Sequence, residues 1–199
     1  ESLAGALKVG DHGTTFGGNP VCAAAALAVL DHLEAPGFID DIAASGIGRV
    51  PGTAIFMTPA PDAVPHALLH SLKHYKTLHE QVVILSVSIF DVPYVPDIDR
   101  VEVHRMAGNF AQVVVQYGFK DEPDIPAALA LCANAGLHID MMDTSFFLGR
   151  ETLIPKLGSD MAYWRELLFV TMFRNASSAT AFFKIPSNRV VELGSQIVL

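Results

Sequence analysis

Three clusters in the chain carry residue types suited to chemistry. His66, His70 and His74 recur at every fourth residue, with His79 just beyond. Imidazoles at that spacing share one helix face, where an i,i+4 pair can bind zinc. The zincin pattern fails, because His79-Glu80 is followed by Val83 where the second histidine belongs. No cysteine or carboxylate accompanies the three, so no metal is assigned and they stand as weak ligand candidates. Their other use is proton sensing, since histidine titrates near pH ~6.5. A second cluster, Thr58 to Asp62, closes an apolar strand and leads into the histidine helix. The carboxyl end of a parallel strand beside a helix start draws anions, which makes Thr58 and Asp62 a candidate ligand loop. Pro59 and Pro61 stand in that loop, which contains no glycine. The third cluster is His12-Gly13-Thr14-Thr15-Phe16-Gly17-Gly18, in which hydroxyls and glycine-freed N–H groups suit a phosphate.

Other chemistry has less support. Gly46, Gly48 and Gly52 give GxGxxxG ahead of the first strand, whereas a dinucleotide fingerprint is GxGxxG and follows it. There is no GxSxG elbow, and Ser145, Ser177 and Ser178 have no evident base. Asp140 and Asp143 read as turn and strand-edge caps, and Arg150-Glu151 as a structural ion pair.

The elements that must position these residues follow from pattern. Asn19 and Pro20 open an alanine-rich helix over Cys22–Leu33, stopped by Pro36-Gly37. Residues 43–52 read as a small-residue connector and Thr53–Thr58 as a strand. A helix follows from about Val64 to Tyr75, burying Leu68, Leu72 and Tyr75. Val82–Phe90 is an apolar run expected of a strand covered on both faces. Strand, helix and strand in that order form a βαβ unit with a parallel pair. Val101 and Val103, then Ala111, Val113, Val115 and Tyr117, alternate with polar residues around Gly108-Asn109, which predicts a hairpin. A helix through about Ala135 ends at Gly136, and Met142–Leu148 returns to the sheet. Ser159 and Asp160 cap an amphipathic helix from Met161 to about Arg174, with Met161, Trp164, Leu168 and Met172 inward. A short helix near Ser178–Phe183 and a strand over Arg189–Val198 complete an α/β fold. Its mixed sheet has flanking helices and an N-terminal loop-helix appendage.

Composition sets the outer limits. With 13 Lys+Arg against 21 Asp+Glu in 199 residues, the formal charge of −8 argues against a nucleic-acid partner. Hydrophobic residues at 51% and charged ones at 17% suit a globular chain with one sizeable core and an appendage. The longest apolar run, Val21–Leu30, falls short of the ~20 residues that span a bilayer, so no direct membrane span is expected. Cys22 and Cys132 form no CxxC pair, which suits a reducing compartment. The chain opens at Glu1 without a starting methionine or signal peptide and is expected to be a fragment.

Two resemblances organise these residues into a unit over 1–37 and a unit over 38–199. Residues 1 to about 36, through HGTTFGGNPVCAAAALAVLDHLE, resemble acetylornithine aminotransferase and its class III relatives, which use pyridoxal phosphate. That resemblance implies that Thr15 holds the phosphate of the cofactor. The family's Schiff-base lysine lies upstream of this loop, where the chain has only Glu1–Asp11, and Lys8 sits too near to match. No catalysis and no cofactor are therefore expected, pyridoxal phosphate belonging only to the alternative of an enzyme remnant. Residues from about Ile39 to Leu199 resemble the C-terminal cytosolic domain of Kup-type potassium uptake transporters. The carriers are GRVPGTAIFMT, VPHALLHSLKHYKTLHEQVVILSV, DVPYVPD, YGFKDEPDIPAAL, MDTSFFLGRETLIP, RNASSATAFFKIP and NRVVELGSQIVL. This implies a regulatory or assembly domain at the cytoplasmic face of the cell membrane. Its partners would be the transporter's membrane domain and a second copy of itself, with proton-coupled potassium uptake arising only in the attached state. The joined chain is expected to be a chimera. A nucleotide- or metal-sensing module is the remaining alternative.

Overall fold

The computed structural model describes residues 37–61, 63–155, 163–176 and 178–198. The expectations for Thr15, for the Cys22–Leu33 helix, and for Asp62, Ser159, Asp160 and Met161 lie outside the described residues. Contacts divide the chain into units Glu1–Phe38 and Ile39–Leu199.

The second unit is built on one sheet. After α1 (Phe38–Ala44) come β1 (Gly48–Thr58), α2 (His66–Tyr75), β2 (Thr77–Phe90), β3 (Val101–Arg105) and β4 (Phe110–Gly118). There follow α3 (Ile125–Leu131), β5 (Thr144–Ile154), α4 (Tyr163–Asn175), α5 (Ala179–Phe182) and β6 (Val190–Val198). The six strands lie in the order β3-β4-β2-β1-β5-β6, all neighbours parallel except the β3–β4 hairpin. The βαβ unit and the hairpin therefore stand as expected, with Gly108 and Asn109 both at positive φ in the connection.

Alternation along the strands serves two faces. Ile55, Val83, Leu85, Val113, Val115 and Phe146 pack with Ile125, Leu129 and Cys132 in one core cluster. Side chains alternate across a strand, so Ala54, Phe56, Ile84 and Phe110 bury on the opposite face. The Phe56 and Phe147 rings stack there at 4.7 Å. Helix α2 packs against β1, β2 and β5 and buries Ala67, Leu68 and Ser71. Helix α3 begins where Asp124 accepts the N–H of Ala127 at 2.9 Å, and its continuation ends at Gly136 in the left-handed region.

Several expectations are corrected. β1 begins at Gly48 and β2 at Thr77, because the polar ends of these strands pair with each other, Gly48 opposite Thr77. The supposed connector over 43–52 thus contains a strand, which shifts register between Val50 and Thr53. Gly52 sits at the shift with φ +99°, and a Cβ there would lie 2.9 Å from the Asp143 carbonyl oxygen. Tyr75 is 56% exposed and does not join the buried face of α2. The largest reversal is in α4. Trp164, Leu168 and Met172 point to solvent, while Glu166 and Val170 are the buried residues. A helix apolar on nearly every side offers two candidate inner faces, and periodicity alone does not choose between them.

Candidate functional site

The carboxyl edge of the parallel sheet is where this topology concentrates loops. The chain runs outward from β1 through β2 to β4, then returns to the other side of β1 as β5 and β6. The reversal places a switch point between the carboxyl ends of β1 and β5, the usual ligand crevice of open α/β sheets. Thr58 ends β1 at that point. Its buried hydroxyl donates to the Ala60 carbonyl at 3.1 Å, with the Ala63 carbonyl at 3.4 Å. Gln112 reaches over from β4 and donates its amide N–H to the Pro61 carbonyl at 2.6 Å. The loop is thus pinned from inside by its neighbours, and the Thr58 proton is already engaged.

The histidines form a ladder along α2. The rings of His66 and His70 are 6.4 Å apart and those of His70 and His74 5.6 Å, with His66 and His74 exposed. Eight residues of helical rise separate the end members by ~12 Å, so all three cannot grip one ion. Among the described residues no group of three His, Cys, Asp or Glu is arranged to hold a metal. His79 stands apart from the ladder on β2, its ring 5.8 Å from that of Phe147. Burial lowers its pKa, against the opposing pull of the Asp143 carboxylate.

The most developed polar constellation is one that pattern reading passed over. The proline-rich segment 91–100 closes over the end of β4 and is latched there. The Phe119 N–H donates to the Val92 carbonyl at 2.9 Å, and the Lys120 N–H to the Pro93 carbonyl at 3.0 Å. One oxygen of Asp121 accepts the N–H groups of Gly118 at 2.7 Å and Val95 at 3.0 Å, with Arg100 at 3.5 Å. These bonds, chiefly the two backbone ones, hold the Asp121 carboxyl below its ordinary value. Arg100 also pairs with Asp97 at 3.0 Å, donates to the Val95 carbonyl and lies over the Tyr117 ring at 5.1 Å. The Tyr117 hydroxyl donates to the Asp124 carbonyl at 2.8 Å and accepts the Asp124 N–H at 3.0 Å. Burial raises its pKa. The Asp121, Arg100 and Tyr117 side chains of this latch are all engaged by protein, which makes it an architectural device. The only sequence signal for it was the density of prolines and aspartates around Arg100.

Elsewhere, a cavity of about 510 Å³ lies between the far half of β5, Glu192 near the start of β6, and helices α4 and α5. Leu148, Leu153, Val170 and Phe173 are among its walls. Arg150, expected to pair with Glu151, instead bonds Glu192 of β6 at 2.8 Å, because successive strand residues point to opposite faces. Asp140 does cap its turn, accepting the Met142 N–H at 2.8 Å.

Residues 51–199 match the family described as K+ potassium transporter C-terminal domain. The chain belongs to this family. It is 80% identical over 169 residues to the probable potassium transport system protein Kup 3 of Dechloromonas aromatica (strain RCB), covering 85% of this chain and 27% of that protein. The corresponding Kup protein of Azoarcus sp. (strain BH72) is 59% identical, covering 81% of this chain and 25% of its own length. That of Myxococcus xanthus (strain DK1622) is 57% identical, covering 76% and 23%. The chain therefore spans about a quarter of the length of the curated relatives it matches. No solved structure matches it. Two sequence blocks that carried the Kup resemblance, DVPYVPD and YGFKDEPDIPAAL, are the two halves of the latch in this Kup C-terminal domain. No helix among its described residues is long and apolar enough to cross a membrane.

Proposed function

We propose that residues 38–199 are the cytoplasmic accessory lobe of a proton-coupled potassium uptake permease. The lobe regulates or assembles the membrane part and does not conduct ions. The single observation carrying this reading is the family match over residues 51–199, in a chain without a spanning helix among its described residues. A pathway through lipid needs helices or a closed barrel, and the open six-stranded sheet of this lobe is neither. Residues 1–37, with their aminotransferase-like loop and Thr15, take no part in the reading.

The test is potassium uptake in a strain lacking its own uptake systems, complemented with full-length Kup 3 of Dechloromonas aromatica. Removing the region matching residues 51–199 is expected to depress uptake while the truncated protein still reaches the membrane. Uptake indifferent to that deletion would refute the proposal.

A further inference from the structure

Helix α4 leaves most of its apolar residues exposed, among them a line at regular spacing. Trp164, Leu168 and Met172, at four-residue spacing, are 66%, 53% and 63% exposed, whereas Glu166 on the sheet side is fully buried. Beneath the helix lies the 510 Å³ cavity that Val170 and Phe173 help to wall, so its own domain does not seal it from below either. Anchors at i, i+4 and i+8 are the pattern by which a helix lies in an apolar groove.

What covers the stripe is indicated by charge and by extent. Arg165 lies over the Trp164 ring at 5.8 Å and has no acidic partner among the described residues. The stripe is thus rimmed on one side by an unneutralised positive charge, that of Arg165, in a chain of net −8. Such a rim seeks carboxylates or carbonyl oxygens. A second copy would bring an identical arginine and another −8, and an anionic bilayer repels the chain as a whole. Kup 3 of Dechloromonas aromatica has 73% of its length outside the stretch this chain covers, all of it tethered to the lobe. Tethering gives millimolar effective concentration, at which a stripe of modest size is enough to dock.

We infer that the Trp164–Leu168–Met172 stripe of α4 seats in an apolar, acid-rimmed groove on the remainder of the same transporter polypeptide. This rests on the accessory-lobe reading. The test uses full-length Kup 3 of Dechloromonas aromatica carrying residues 51–199 of this chain in place of its own matched region. A photoreactive benzoylphenylalanine replaces Leu168, or Ile98 as an exposed control, and a protease site precedes the exchanged region. After irradiation and cleavage, the lobe labelled at 168 is expected to stay joined to the rest of its own polypeptide, and the lobe labelled at 98 to be released. Joining at 168 to a second lobe or to lipid, or no joining at all, would overturn the inference. The paired substitution Leu168→Glu with Met172→Glu is expected to abolish the joining from a probe at Trp164 and to lower uptake. The thermal midpoint of the 199-residue chain should stay unchanged, because both side chains face solvent. If deleting the lobe stops uptake but the paired variant neither lowers it nor loses the joining, the docking surface is wrong and the accessory-lobe reading stands. If deletion leaves uptake intact, that reading itself falls, whatever the crosslinks report.

Discussion

Ser86 and Thr58 face each other across β1 and β2, and their hydroxyls should respond to removal with opposite sign. Both are buried, at 1% and 6% exposure, and they are register partners in the parallel pair. The Thr58 hydroxyl has a carbonyl at 3.1 Å, whereas the Ser86 hydroxyl has no hydrogen-bond partner among the described residues. A buried polar group left unsatisfied costs about 1–3 kcal/mol, while a satisfied hydrogen bond contributes a net of about 1 kcal/mol. Ser86→Ala deletes one oxygen, and the packing lost with that atom is less than the desolvation relieved. The expected result is a gain of about 1 kcal/mol, or roughly 2–4 °C in the melting midpoint for a chain of this size. Thr58→Val keeps the shape and removes the bond, so it should lose about 1 kcal/mol. Urea unfolding followed by circular dichroism reads both, provided the slopes match those of the parent chain. A Ser86→Ala variant destabilised by 1 kcal/mol or more would show that the hydroxyl is satisfied in solution and would refute the reasoning.

Gly118→Ala should cost about 1–3 kcal/mol or more, because a Cβ there would lie 2.5 Å from the backbone of Val92 and Pro93 and force the latch open; the urea midpoint checks it. The Cys132 thiol is pushed up to about 11 by burial, so in a Cys22→Ser background the native chain should resist iodoacetamide at pH 8 and react only once unfolded. His79 has a folded pKa below its ordinary 6.5, so the unfolded chain binds the extra proton first. Its contribution is complete above pH 6.5 and fades as pH falls toward the folded value. His79→Gln should flatten the pH dependence of the urea midpoint in that window, and an unchanged slope would count against the burial argument.

Much of the sheet was legible because its strands obey local rules. Val82 to Leu85 is apolar at every position and is buried on both faces, as a covered parallel strand requires. The hairpin was readable from alternation, with one face of β3 wet. The leading halves of β1 and β2 were not, since Gly48–Gly52 and Thr77–Gln81 are polar and glycine-marked and become strand only by pairing with each other. The latch was opaque for a related reason. Asp121, Arg100 and Val95 meet because β2 and β4 are paired, and no period in the sequence encodes that meeting. In α4 the helix itself was evident, but its orientation depended on burying Glu166, a choice that hydrophobic pattern counts against. The end of β1 at Thr58 was legible, while the engagement of the Thr58 hydroxyl with the carbonyls that follow needed three-dimensional neighbours.

The margins of the sheet differ in kind. Past Phe147, the register of β5 continues only with β6, so residues 148–154 and 192–198 form a two-stranded arm beyond the body of the sheet. A pair of strands without a third is marginal by itself, and amide exchange should run fastest along this arm and slowest along β1 and β2. The lobe thus combines a stiff hub with a compliant outrigger, so that a pull or push arriving at the cavity margin is absorbed by bending there before it disturbs the centre.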